Sequence, residues 1–166
     1  KGLKNKLTAI NPGGVFGDAL DKKGGTSIEY VRQFMKGKFP GAPKFAVLIS
    51  DVKDIAKAHV ACIGNNKVGG RRLIVGKEVK KLVELSQLMA EAMPEYAKKL
   101  PKKELPNFMV KLISYLDSSA KTMIPDLGIL MQTDTTYAEE LLGFKFKPAK
   151  DCISENAKSV VRLGLV

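Results

Sequence analysis

Leu7-Thr-Ala-Ile-Asn-Pro-Gly-Gly-Val-Phe-Gly17 is the stretch on which the fold turns. Leu7 to Ile10 reads as a short buried strand. Pro12 then fixes φ and brings no N–H that must find a partner. Gly13 and Gly14 remove two side chains in succession, which lets another group approach the backbone or lets the chain take a positive φ. A strand that runs into Pro-Gly-Gly is one way an α/β sheet opens a ligand crevice at its carboxyl edge. The same residues also read as a plain strand and turn.

Downstream, Gly17 to Gly25 is a polar, glycine-rich connection. Thr26 or Ser27 is expected to cap a helix in which Ile28, Val31, Phe34 and Met35 fall at helical spacing and which Gly37 ends. A hydroxyl at a helix N-terminus also suits a phosphate, although capping alone accounts for it. Phe45 to Ile49 is a continuous apolar strand, and Ser50 or Asp51 caps a helix over 52–63. Its apolar stripe is Val52, Ile55, Ala56, His59, Val60 and Ile63, so the one histidine is expected in the core. With no second histidine, a His-based metal site or a serine triad has too few ligands or members.

Arg71 to Val75 is another short strand. Leu82 to Leu100 is helical, with Pro94 expected to kink or split it. Phe108 to Met123 repeats Met109, Leu112, Ile113, Leu116, Ala120 and Met123 at helical spacing. Asp134 is placed to cap a helix that Gly143 ends. Phe144 to Lys147 alternates briefly before Pro148, and 149–163 is a last amphipathic helix. The order of strand, helix, strand, helix, strand and then helices is α/β in character, with a helical second half.

The chain has 166 residues, the size of one domain or part of one, and 45% of them are hydrophobic, enough to bury a core. Its net charge of +11 comes mostly from lysine, since arginine stands only at Arg32, Arg71, Arg72 and Arg162. Nucleic-acid surfaces favour arginine and interleaved aromatics, so the scattered lysines are read as a solvated face. Cys62 and Cys152 lack metal-ligand spacing and are read as buried free thiols of a reducing, cytoplasmic compartment. No apolar run is long enough to span a membrane, and Lys1 to Lys6 does not resemble a secretory leader.

Three pieces of the chain, taken in order, resemble a known family. They are Thr8 to Gly17; Val47-Leu-Ile-Ser-Asp-Val-Lys-Asp-Ile-Ala-Lys-Ala-His59 with Gly70 to Val75; and Leu141 to Pro148 with the closing Arg162-Leu-Gly-Leu-Val166. Together they resemble the C-terminal half of an extended short-chain dehydrogenase/reductase, of the NAD-dependent epimerase/dehydratase group and its dihydroflavonol reductase-like branch. The resemblance implies an α/β chain: over residues 1–166, the last strands of a Rossmann sheet plus a mostly helical substrate-binding region. It places the cofactor-binding half before this one.

By position, the resemblance implies that Pro12 and Gly13 meet the nicotinamide end of NADP or NAD, that Ser27 lies near the cofactor phosphates, and that Gly14, Val15, Tyr30 and Leu48 line the substrate pocket. It implies no catalytic residue and no metal in this chain. The family's Tyr-x-x-x-Lys is absent: Phe34, Leu100, Ser119 and Leu141 stand four residues after Tyr30, Tyr96, Tyr115 and Tyr137. There is no glycine-rich phosphate turn either. Gly17-Asp18 stands where family members have Gly-Pro, and Thr135-Thr136 where they often have Ser-Lys.

The function so implied is the substrate-binding half of an NAD(P)H-dependent oxidoreductase that reduces a ketone or aldehyde. Its partners would be a small carbonyl substrate and the N-terminal Rossmann half of the same protein, and the isolated chain would be inactive. Self-association into a homo-oligomer is a further expectation; nucleic acid and membrane are not expected partners. The alternative is a non-catalytic truncated paralogue that acts as a binding or interaction module.

Overall fold

A computed structural model describes residues 7–115 and 124–166. The Leu7 to Gly17 stretch forms two strands. Strand β1 (Ala9–Pro12) pairs in parallel with β5 (Arg72–Val75), and β2 (Gly14–Phe16) pairs in parallel with β4 (Ala46–Asp51). Strand β4 also takes β6 (Glu78–Lys81) as an antiparallel neighbour. A third pair, β3 (Ala42–Pro43) with β7 (Glu104–Leu105), is two residues long. The expected strand therefore does not end in a loop at Pro-Gly-Gly. It passes from one sheet to another, with Gly13 as the joint.

That joint is a place of close approach. A Cβ on Gly13 would lie 2.2 Å from the Leu48 carbonyl oxygen, and one on Gly76 would lie 2.7 Å from Leu48 Cγ. Leu48 is thus clamped between two glycine backbones. Ser50 ties the sheets together: its hydroxyl accepts from the Gly13 N–H at 2.8 Å and donates to the Val75 carbonyl at 2.6 Å. The positive φ, +107°, falls on Gly17, where a Cβ would also meet the Asp51 carboxylate at 2.7 Å.

Helix α1 (Thr26–Met35) buries Val31, Phe34 and Met35, as their spacing predicts. Its N-cap is Gly25, without a side-chain cap bond, so neither Thr26 nor Ser27 caps it. Helix α2 (Val52–Cys62) is capped by Asp51, which accepts from the Lys53 N–H. Helix α3 (Leu82–Ala92) stops before Pro94, and a short 3-10 turn follows. Helix α4 (Asn107–Ile113) begins the expected Phe108 to Met123 helix; positions 116–123, like 1–6, lie outside the described residues. Helices α5 (Thr136–Leu142) and α6 (Ala149–Arg162) close the chain. Phe144 to Lys147 forms no strand; Phe146 is buried instead.

Two cores result. The larger packs α1, α3 and α6 against the β2-β4-β6 sheet through Phe34, Met35, Ile49, Leu85, Met89 and Ile153. The smaller lies between β5, α2 and α5, through Ala58, Leu73, Val75, Ala138, Leu142 and Phe146.

Helix α2 presents the face opposite to the expected one. Asp54 and Ala58 are buried and Ile55 is half-buried against the smaller core, while Val52, Ala56, His59, Val60 and Ile63 are exposed. The cause is polar. Asp54 accepts the Lys147 N–H at 2.6 Å, which fixes that side inward beneath the 144–148 segment. His59 is accordingly a surface residue, its Nδ1 2.8 Å from the Ile55 carbonyl. Cys152 is buried as expected, but Cys62 is only half-buried.

Candidate functional site

Beside Gly13 to Gly17 the surface opens into a cleft of about 490 Å³, walled on its far side by Thr26, Ser27 and Ile28. The near wall comes from the sheet joint, Gly13 to Gly17. The far wall is the first turn of α1, which is ten residues long and has no side-chain cap bond. Lys23 and Asn156 complete the lining. Asn156 is fully buried, and its Nδ2 donates to the Gly17 carbonyl at 2.6 Å. Arg162 binds Asp18 at 2.6 Å and the Ala19 carbonyl at 2.9 Å. Helix α6 thereby holds the rim in place across more than 130 residues of sequence.

A second, more enclosed cavity of about 240 Å³ lies behind the cleft, between α1, α3 and the β2-β4 strands. Gly14, Phe16, Thr26 and Ser27 line both spaces. The inner walls are apolar: Val31, Phe34, Val47, Leu82, Leu85 and Met89.

The structure brings most of the expected site residues together. Gly13, Gly14, Val15 and Ser27 line the cleft, and Gly14, Ser27 and Tyr30 line the cavity. Pro12 is exposed and lines neither. Leu48 is buried under Gly13 and lines neither. Sequence reasoning missed Asn156 and Lys23, which lie far apart in the chain or on a featureless loop. It also missed Leu82, Leu85 and Met89 as cavity walls, because an apolar helical stripe looks the same over a cavity as over a filled core.

The charges beneath the site are structural. Lys147 Nζ stands 3.0 Å from Asp51 Oδ2 and 2.8 Å from Glu155 Oε2. Burial opposes its charge, but Glu155 and Asp51 outweigh this and hold the ammonium above its ordinary range. Burial, with Asp51 nearby, pushes the Cys152 thiol far up, so it stays protonated and is no nucleophile. Among the described residues no three His, Cys, Asp or Glu side chains group as a metal site, and no helix is long and apolar enough to cross a membrane.

A parallel βαβ unit beside a cleft at the carboxyl ends of its strands defines a Rossmann-type α/β protein. No family model matches the chain. It is 28% identical over 169 residues to the NADPH-dependent methylglyoxal reductase of Saccharomyces cerevisiae, covering 96% of this chain and 44% of that one. A crystal structure of the yeast methylglyoxal/isovaleraldehyde reductase with NADPH superposes with a TM-score of 0.68 at 27% identity, over 95% of this chain and 47% of that one. A nucleoside-diphosphate-sugar epimerase from Pseudomonas aeruginosa shares the fold, with a TM-score of 0.73 at 17% identity over 98% of this chain and 51% of that one. The chain is therefore similar to the C-terminal half of NADPH-dependent reductases and shares its fold with an epimerase, as its motifs led one to expect. It spans about half the length of the curated relatives it matches.

Proposed function

We propose that this chain is the substrate-binding half of an NADPH-dependent reductase of ketones or aldehydes. The observation that carries the reading is the cleft at the Gly13 to Gly17 joint, facing the first turn of α1, in a chain similar over nearly its whole length to a methylglyoxal reductase. The residues fit the nicotinamide and phosphate end of a dinucleotide. The Gly13 to Gly17 backbone forms the near wall, and α1 offers backbone donors, the Ser27 hydroxyl and Lys23 to an anion. Bound NADPH supplies the hydride that adds to the carbonyl carbon.

This chain's own work is to shape the pocket, exclude water and orient the carbonyl. The proton donor belongs to a Tyr-x-x-x-Lys pair, which this sequence does not contain. The isolated chain is accordingly inactive and works when joined to an N-terminal Rossmann half. The unpaired edge of β1 among the described residues supports this, as does the exposed apolar face of α2. Parallel sheets are normally covered on both faces, and an open strand edge is a template for pairing.

The same exposed edge and face favour a second reading, a non-catalytic module that binds a partner there. The deciding experiment measures the intact mass of the protein from its source, and NADPH oxidation by that protein with a panel of carbonyl compounds. Carbonyl-dependent oxidation by a protein of about twice this mass is expected. A protein of this mass alone that binds no dinucleotide overturns the reductase reading in favour of the module.

A further inference from the structure

Lysines that read in the sequence as a scattered, solvated face are gathered by the fold. Lys36 and Lys38 follow α1, while Lys98, Lys99, Lys102 and Lys103 lie between the 3-10 turn and β7, and all six are exposed. Two contacts bring these segments together. A Cβ on Gly37 would lie 3.3 Å from Lys99 Cβ, and the Ala42 N–H donates to the Lys103 carbonyl at 2.9 Å. The carboxylates around them are mostly engaged elsewhere. Glu104 pairs with Lys81 at 3.4 Å, and Glu29, within the field of Lys38, is held by Arg32 at 2.7 Å. Glu95, on the turn before Lys98, is exposed. Among the described residues none of the six lysines makes an ion pair.

Strand β7 runs straight into α4, whose outer face is apolar. Val110 is buried, with Met109 and Ile113 half-buried on the same side. Phe108, Leu112 and Tyr115 fall at helical spacing on the other side, along α4 and the turn after it. They are 69%, 66% and 87% exposed, and the exposed Lys111 lies among them. Lys103 precedes Phe108 so closely in the chain that charge and apolar face lie within about 17 Å of each other.

A surface that is both cationic and apolar fits few partners. Nucleic acid favours arginine, whose planar fork matches a phosphate, and these six are all lysine. Protein interfaces are depleted in lysine. A bilayer with anionic lipid takes both parts, because lysines gain from its surface potential while Phe and Leu side chains sink to the acyl boundary. A Rossmann half would instead meet the β1 edge and α2, which flank the smaller core, whereas Ala42 and Leu100 beside the lysines belong to the larger.

We propose that this face docks the protein on membranes that carry anionic lipid, with the lysines at the headgroups and Phe108 and Leu112 entering the interface. The inference goes beyond the reductase reading and does not depend on it. The test sediments the intact protein with vesicles of phosphatidylcholine alone or with about one third phosphatidylserine. Binding should be at least about tenfold tighter to the anionic vesicles and should fall as salt rises. Lys102→Glu with Lys103→Glu should weaken it at least about tenfold, since each lysine near such a surface contributes about fivefold. Phe108→Ser with Leu112→Ser should also weaken it at least about tenfold. Should one pair misfold, the other decides.

Equal binding to both kinds of vesicle, no binding to either, or binding that neither pair weakens overturns the proposal. Retention of RNA or polyglutamate without retention of vesicles assigns the lysines to another polyanion and overturns it. A dimer that vesicles do not bind, and that the Phe108 and Leu112 pair dissociates, assigns the face to a second copy and overturns it.

Discussion

Replacing Glu139 with glutamine should make the chain less stable at neutral pH and remove much of its acid sensitivity. Glu139 is almost fully buried at the inner face of α5. Its carboxylate accepts from Lys77 Nζ at 2.7 Å, Lys145 Nζ at 2.9 Å and the Phe146 N–H at 2.9 Å. Burial works to raise its pKa, but Lys77, the Phe146 amide and Lys145 outweigh burial and bring it down to about 2. Against an ordinary value of 4.5 that is some 2.5 units, or roughly 3 kcal/mol at most. Lys145 is 74% exposed and Lys77 34%, so solvent screens part of it, and about 2 kcal/mol is the working figure.

A carboxyl whose folded pKa is depressed adds stability that is complete above its unfolded pKa. That stability is lost as pH falls from about 4.5 towards 2. Urea denaturation of wild type and Glu139→Gln across this range gives the stability difference at each pH. It should be about 2 kcal/mol at pH 7 and shrink steadily below about 4.5, because protonated glutamate and glutamine are near equivalents. A difference that stays constant with pH would show that the lysines do not hold this carboxylate, and would refute the reasoning.

Gly13→Ala should cost about 2–4 kcal/mol, read by the same denaturation, because its Cβ meets the Leu48 backbone and no side chain can swing aside. A loss under about 0.5 kcal/mol would mean that the two sheets are not joined so closely. Val60→Lys with Ile63→Lys should change stability by no more than about 0.5 kcal/mol, since the two side chains are 69% and 81% exposed. The same pair should lower self-association in light scattering and weaken capture of an added Rossmann half at least about tenfold. Unchanged capture would place the partner surface elsewhere.

The motifs at Thr8 to Gly17 and Val47 to His59 marked both the class of fold and the place of the cleft, because close backbone packing and helix capping need particular residues at particular spacings. Pro94 likewise announced the end of α3, and Asp51 the start of α2. The strands at Glu78 to Lys81 and Glu104 to Leu105 carried no such signal. Their alternation is weak and their pairing depends on what lies beside them.

Helix α2 shows where local reading stops. Val52, Ile55, Ala56, His59, Val60 and Ile63 form one stripe at helical spacing, of which Ile55 is half-buried, while Asp54, Ala58 and Ala61 form another on the opposite side. Apolar content favours the first for burial; the structure buries the second. The choice was made by a hydrogen bond from Lys147 to Asp54, 93 residues apart in the chain. Gly13 shows the same division on a smaller scale. Its sequence declared that something must come close to the backbone, but only the packing of β4 identified that group as the chain's own Leu48 carbonyl. By itself the sequence determined most of the helices, the strands on either side of the glycine joint and the kinship of the chain, since these depend on residues near one another. The tertiary structure decided which helix face is left bare, how the two sheets share Ser50, and that an apolar cavity opens behind Gly14, since each depends on contacts between residues that only folding brings together.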